Sequence, residues 1–149
     1  MKEGQTIAQQ IKWDFKTNGD LKIKDKNDNI IYYELSHGYW RKSEYDSQGN
    51  QIYFEISNGY WRKSEYDSQV NEIYLEDSNG YWEKKEYDSQ GNQIYFKNSD
   101  GFWKKWKYDS QGKLIYSENT YGRIIDERPK PCSDKEIVIE GVKYKLTKV

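Results

Sequence analysis

From residue 38 to residue 116, short runs of aromatic, aliphatic and charged residues alternate with clusters of Asn, Asp, Ser and Gly, and the whole pattern returns every 21 residues. Gly38-Tyr39-Trp40 recurs as Gly59-Tyr60-Trp61, Gly80-Tyr81-Trp82 and Gly101-Phe102-Trp103. Tyr45-Asp46 recurs at Tyr66-Asp67, Tyr87-Asp88 and Tyr108-Asp109, and Ile52-Tyr53 at Ile73-Tyr74, Ile94-Tyr95 and Ile115-Tyr116. A degraded copy precedes these, with Asp25 and Ile31-Tyr32 at the same offset, and a partial copy ends at Gly122. A fixed period of this length marks a repeat architecture in which one supersecondary unit is stacked about six times.

Each unit reads as two strands and two turns. Tyr39 to Tyr45 is one strand and Gln51 to Glu55 the other, separated by Asp46-Ser47-Gln48-Gly49-Asn50 and followed by Ser57-Asn58-Gly59. Asn-Gly between aromatic runs predicts a two-residue hairpin turn, because its type I′ geometry needs positive φ at both central residues. That turn would set Glu55 opposite Arg62 and Ile56 opposite Trp61, with Ile52, Phe54, Ile56 and Trp61 on one face. For successive Trp residues to keep to one side, the other turn must be a three-residue loop with Gly49 as a left-handed bulge. The result is a Trp/Ile/Phe face and a Tyr/Arg/Ser/Glu face. Val70 occupies the Gly49 position in the next copy, and a β-branched residue resists positive φ, so the turn there is expected to differ.

About twelve strands spaced by about 4.8 Å make a sheet roughly 55–60 Å long. One layer cannot cover its own apolar face, so it must curl, spiral or meet a partner. Thr6-Ile7-Ala8-Gln9-Gln10-Ile11 has capping-box spacing and an Ile pair at i, i+4, which predicts a short helix. Arg128-Pro129-Lys130-Pro131 interrupts the array as a linker. Glu136-Ile137-Val138-Ile139 and Val142-Lys143-Tyr144-Lys145-Leu146, around Glu140-Gly141, predict a terminal hairpin able to cap the last repeat. The expected fold is all-β: tandem 21-residue hairpins in an elongated meander or β-spiral solenoid, with an N-terminal cap over 1–19, the array over 20–125, a linker over 126–135 and a hairpin over 136–149.

Composition changes this picture in one respect. Hydrophobic residues are only 34% of the 149, while aromatics reach 17%, with 15 Tyr and 6 Trp. Each aromatic can bury about 150–250 Å², so stacked rings stand in for an aliphatic core, and the Trp ladder (Trp40, Trp61, Trp82, Trp103) is assigned to that core. Net charge is −1. Without an apolar run of about 18 residues there is no membrane span. The start, Met1-Lys2-Glu3-Gly4-Gln5-Thr6, lacks a signal-peptide core, and single Cys132 has no partner for an internal disulfide. A cytoplasmic location is expected.

The stretch Glu44-Tyr45-Asp46-Ser47-Gln48-Gly49-Asn50-Gln51-Ile52-Tyr53 resembles the YD repeats of Rhs-type proteins, which pair Tyr-Asp with a turn glycine and a following strand. It is similar also to MORN-like repeats and, more loosely, to the aromatic repeats of choline-binding modules. The resemblance covers roughly residues 20 to 122 and implies a β-hairpin array. In layout, a short N-terminal segment, repeats, a Pro-containing link and a closing hairpin, the chain resembles small phage and prophage proteins. That layout implies an inhibitor of a host defence enzyme.

The candidate partner-binding surface is Tyr39, Arg41, Tyr45, Tyr60, Arg62, Tyr66, Tyr81, Tyr87 and Tyr108, because Tyr and Arg dominate binding hot spots; the same residues could equally serve as cross-strand pairs that hold the sheet. The Asp series (Asp25, Asp46, Asp67, Asp88, Asp109) is read as turn chemistry, since Asp at a turn start accepts from its own backbone and calcium needs several converging oxygens. His37 stands where Asn58 and Asn79 stand in later copies, as a turn residue. No Cys–His pair, second His or Gly-rich phosphate loop is present, so catalytic, metal and cofactor sites are not expected. Lys and Arg (24) alternate with 25 acids, which argues against nucleic acid as a direct ligand. The expected role is a non-catalytic scaffold that binds another protein, most concretely a phage-type inhibitor of the anti-CRISPR or anti-restriction class. The alternatives are a carbohydrate- or choline-binding module and a self-associating shell or virion component.

Overall fold

The structure is a computed structural model that describes residues 4–129 and 136–145. Eleven strands form one antiparallel meander in which each strand pairs only with its neighbours in sequence. They are β1 (Leu21–Lys24), β2 (Ile30–Glu34), β3 (Trp40–Tyr45), β4 (Gln51–Ile56), β5 (Trp61–Tyr66), β6 (Glu72–Asp77), β7 (Trp82–Tyr87), β8 (Gln93–Asn98), β9 (Trp103–Tyr108), β10 (Leu114–Asn119) and β11 (Ile124–Asp126). The all-β hairpin array is therefore an open meander, not a closed barrel. A separate two-stranded sheet joins β12 (Glu136–Ile139) to β13 (Val142–Lys145). All eight of its residues are exposed. Residues 130–135 of the expected linker and 146–149 of the expected hairpin lie outside the described residues.

The turns from β1–β2 through β9–β10 are all the same device. Asp46 N–H donates to Asn50 O (2.9 Å) and Gly49 N–H to Asp46 O (3.2 Å), enclosing a three-residue loop with Gly49 at φ +86°. The expected bulge glycine is in place. The second turn is not the two-residue type the Asn-Gly pair predicts. Ile56 N–H donates to Tyr60 O and Gly59 N–H to Ile56 O, both at 2.9 Å, so Ser57-Asn58-Gly59 is again a three-residue loop. Asn58 serves the loop through its carboxamide, whose Oδ1 accepts from Tyr60 N–H (2.9 Å). Asn is thereby needed for its side chain, and only Gly59 takes the left-handed conformation (φ +87°). The Val70 loop also keeps this geometry, with Val70 at φ +66° and its N–H on Asp67 O (3.1 Å).

The register follows, and it redistributes the faces. Glu55, not Ile56, lies opposite Trp61, and Phe54 lies opposite Arg62. A bulge comes with it: Glu44 pairs with Tyr53 and Tyr45 with Gln51, leaving Ile52 as the extra residue. Ile73, Ile94 and Ile115 are skipped in the same way. Such a bulge lets two successive side chains oppose one partner, so Ile52 lines the same groove as Tyr53. The expected Trp/Ile/Phe face is thus split. One face carries Trp40, Trp61, Trp82, Trp103, the bulge isoleucines and Tyr53, Tyr74, Tyr95 and Tyr116. The other carries Arg41, Arg62, Ser43, Ser64, Phe54, Leu75 and Phe96.

Among the described residues, a packed interior exists only at the N-terminal end. Helix α1 (Ile7–Ile11) starts at Thr6, whose hydroxyl accepts from Gln9 N–H while the Gln9 side chain accepts from Thr6 N–H, the expected capping box. A second short helix, α2 (Phe15–Asn18), is capped by Asp14. Ala8, Leu21 and Tyr32 are buried together, with Ile7, Trp13, Phe15, Ile23 and Trp40 against them. Further along, the tryptophans assigned to a core remain half-exposed, because a one-layer sheet has no interior to put them in. No described helix is long and apolar enough to cross a membrane.

Candidate binding surfaces of the sheet

All nine candidate residues are half-buried, and three of them, Tyr66, Tyr87 and Tyr108, line grooves with Ile52 and Tyr53, Ile73 and Tyr74, and Ile94 and Tyr95. The arginine face is knitted from within. Arg41 lies over the Phe54 ring, 4.3 Å from its centroid, and its Nη2 donates to Gln51 Oε1 (2.7 Å), which in turn donates through Nε2 to Ser43 Oγ (2.9 Å). One repeat later, Arg62 Nη2 and Ser64 Oγ both donate to Glu72 Oε1, and Lys85 Nζ donates to Glu72 Oε2 (3.0 Å) while pairing with Glu83 (2.8 Å). Burial pushes the Glu72 carboxyl up, but hydrogen bonds from Lys85, Arg62 and Ser64 outweigh it and the net shift is down. Ser43 and Ser64, small and buried, leave room for the long side chains to lie flat.

The tyrosines divide by position. Tyr45 and Tyr66, which open the Tyr-Asp pairs, donate their hydroxyls to Ile30 O and Gln51 O, both at 3.3 Å, and so tie each unit to the preceding one. Burial raises the Tyr108 hydroxyl, with the Asp88 charge adding to it. Tyr39 and Tyr60 tilt against Tyr33 and Phe54, with ring centroids 5.7 and 5.9 Å apart. Tyr60 and Tyr81 donate to Asp77 (3.4 Å) and Glu83 (2.7 Å).

The Asp series acts as turn chemistry. Asp46 Oδ1 accepts from Gln48 N–H (2.8 Å) and Asn50 N–H (2.9 Å), and Oδ2 from Asn50 Nδ2 (2.9 Å). Asp25, Asp67 and Asp88 repeat this with Asn29, Asn71 and Asn92. The Asn side-chain hydrogen bond, with smaller help from backbone N–H groups, holds all four carboxyls below the ordinary Asp value. Asp109 has Lys113 in place of Asn and keeps only the backbone bonds. No group of three or more metal-ligating side chains occurs among the described residues. His37 sits in the Leu35–Tyr39 turn, stacked on Tyr39 at 6.4 Å.

The tryptophan face is organised in diagonal rows that cross five strands. Register places Glu44, Tyr53, Lys63, Glu76 and Trp82 side by side on β3 to β7. The tyrosine also donates to a glutamate two residues on: Tyr53 to Glu55 (3.4 Å), Tyr74 to Glu76 (3.0 Å), Tyr116 to Glu118 (2.7 Å). Sequence reasoning missed these glutamates, although Tyr-x-Glu recurs at the 21-residue period. The fourth copy departs from the pattern. Lys97 replaces the glutamate and lies directly opposite Lys84, whereas Lys63 and Lys105 pair with Glu76 and Glu118 (3.6 and 3.8 Å).

In the first copy this face is covered. Glu34 Oε2 accepts from Ala8 N–H of α1 (3.0 Å) and from Tyr32 OH (2.8 Å), and all three residues are 3% exposed. Burial, then the hydrogen bond to Glu34, drives the Tyr32 hydroxyl far above its ordinary value.

No family model and no curated protein matches the chain. Solved structures do. In the TcdB2-TccC3-TEV crystal structure the match has a TM-score of 0.54 at 17% identity, over 68% of this chain and 5% of that one. In the Photorhabdus luminescens Tc holotoxin pore it is 0.52 at 17%, over 68% and 5%. In TcdB2-TccC3 it is 0.50 at 10%, over 68% and 6%. The chain therefore spans about a twentieth of these neighbours. The likeness is one of fold: a repeated β-hairpin array, consistent with the YD-repeat resemblance of the Tyr-Asp units.

Proposed function

We propose that this protein is a non-catalytic scaffold that binds another protein through the faces of its repeat sheet. One observation carries the reading: after the first repeat the sheet is a single layer whose Trp and Tyr rings stay half-exposed, and among the described residues the stretch that is covered is covered by an added helix. Apolar surface left without a covering layer marks interaction sites when it is contiguous. The turn aspartates Asp25, Asp46, Asp67 and Asp88 and the glutamates Glu34, Glu72, Glu76 and Glu83 are committed to turns, the helix contact and ion pairs, which favours binding over catalysis. Inhibition of a host defence enzyme is the most specific form of this role, and its support is the layout of the chain.

The test is affinity capture on the immobilised chain, run in parallel with Tyr60→Ala/Arg62→Ala and with Trp61→Ala/Trp82→Ala. A specific partner lost with one pair and kept with the other supports the scaffold and names the face. A chain that retains no protein beyond what a blank support retains refutes it. A second reading, a component of a larger YD-repeat shell, is favoured by the fold likeness and by Ile124 and Ile125, 60% and 39% exposed on the edge strand β11. Light scattering over a hundredfold range of concentration separates the two: growth in mass supports the shell component.

A further inference from the structure

The first repeat shows how this sheet holds a helix. Tyr32 and Trp40 stack with ring centroids 6.3 Å apart and planes at 19°. Glu34, opposite Trp40 in the register, presents its Oε2 to the Ala8 N–H, and the small Ala8 side chain packs into the cluster with Tyr32. The seat therefore needs three parts: two stacked rings for apolar contact, a carboxylate for a free N–H of the first helical turn, and a tyrosine hydroxyl that steadies the carboxylate. A first-turn N–H has no acceptor within its own helix, and the positive end of the helix favours an anion.

The second repeat carries all three parts, and the third carries the register and the Tyr–Glu bond without a stacked ring pair and with Lys63 beside its glutamate; no described residue is seated over either. Tyr53 and Trp61 stack at 6.4 Å and 27°, with Glu55 opposite Trp61 and bonded to Tyr53. Tyr74, Glu76 and Trp82 repeat the register and the Tyr–Glu bond. Each seat lies two strands from the last, about 10 Å, and helices pack side by side at about 8–10 Å. Segments in the second and third seats would thus touch one another and flank α1, whose Ile11 is 54% exposed. The next two copies are spoiled. Lys97 takes the glutamate position beside Lys84 and repels a helix N-terminus. In the last copy, Ile124 stands opposite Glu118 where a tryptophan is required.

We propose that the seats at Tyr53–Glu55–Trp61 and Tyr74–Glu76–Trp82 each receive a short α-helical segment of a partner protein. Its first turn donates a backbone N–H to the glutamate and lays an alanine-sized side chain against the rings. This inference rests on the scaffold reading and assigns it a face and a class of ligand.

A capped synthetic peptide with the sequence of residues 4–19, titrated to millimolar concentration into the ¹⁵N-labelled full chain, tests it. Saturable amide shifts are expected at residues 52–56 and 61–63 and at 73–77 and 82–84, with none at 94–98. Glu55→Lys/Glu76→Lys should weaken binding at least tenfold. Lys97→Glu, which removes the Lys84–Lys97 repulsion, should add a third responding cluster around Tyr95 and Trp103. The last variant keeps the test decisive if the double charge reversal unfolds. Shifts confined to the arginine face, affinity unchanged by Glu55→Lys/Glu76→Lys, or no new cluster in Lys97→Glu overturns the proposal. A captured partner lost only with Tyr60→Ala/Arg62→Ala, together with peptide-silent seats, overturns it while leaving the scaffold reading intact.

Discussion

Val70 takes the left-handed position of the β5–β6 turn, where the β3–β4, β7–β8 and β9–β10 turns carry Gly49, Gly91 and Gly112. Its φ of +66° matches theirs in sign, and its hydrogen bonds match those of the Gly49 turn within 0.1 Å. The strain is therefore absorbed by the residue and not relieved by a different loop. An L-residue held there gives up roughly 1–2 kcal/mol, the upper end suiting a β-branched side chain. Val70 is 50% exposed, so little packing is lost with it. Val70→Gly removes the strain but frees the unfolded chain, which costs about 0.5–1 kcal/mol. The net gain is about 0.5–1 kcal/mol, a rise in melting temperature of about 1–4 °C. Val70→Asn, which tolerates positive φ without glycine's freedom, should gain at least as much. The reciprocal change, Gly49→Val, should lose a similar amount, about 0.5–1 kcal/mol. Urea unfolding followed by Trp fluorescence measures all three at constant slope. A lower midpoint for Val70→Gly, or an unchanged one for Gly49→Val, refutes the argument that one turn geometry is imposed on every copy.

Three further outcomes follow from the geometry. Glu34→Ala leaves the Ala8 N–H and the Tyr32 hydroxyl without their acceptor and should cost about 1–3 kcal/mol, with faster Ala8 amide exchange; Glu34→Gln, which keeps an acceptor, should cost less. Glu72→Ala removes the acceptor shared by Arg62, Ser64 and Lys85 and should cost about 1–2 kcal/mol in thermal or urea unfolding, less than a fully buried pair because Lys85 retains Glu83. The turn carboxyls of Asp25, Asp46, Asp67 and Asp88 sit below their ordinary value in the folded chain. Their contribution is therefore complete above the unfolded Asp value of about 3.9 and is lost as the pH falls through the lower folded value. Asp46→Asn/Asp67→Asn should unfold more easily than the parent at pH 7, with the difference closing in acid; a constant difference across a pH series of urea melts contradicts the assignment.

The candidate surface was legible in part. That Arg41 and Ser43 share a face, as do Arg62 and Ser64, follows from period-2 alternation within one strand. What that face does depends on contacts across strands: Arg41 reaches Gln51 ten residues away, and Tyr66 reaches the Gln51 carbonyl fifteen residues back. The opposite face, with its Tyr–Glu–Trp seats, combines residues of two strands whose meeting depends on register.

What the sequence determined alone was everything local and periodic. The 21-residue period, the strand spans, the Gly49 loop, the Asp caps and the Thr6 capping box each depend on a few neighbouring residues whose backbone preferences are strong. The tertiary structure decided the register. A one-residue slip moves a whole strand's side chains to the other face, and two features invisible to alternation set it: the third residue in the Ser57-Asn58-Gly59 loop and the bulge at Ile52. Only the fold, likewise, could bring Ala8 onto Glu34, because that contact joins a helix to a strand 26 positions further along the chain, and it covers one copy of a repeated surface while no described residue covers its neighbours.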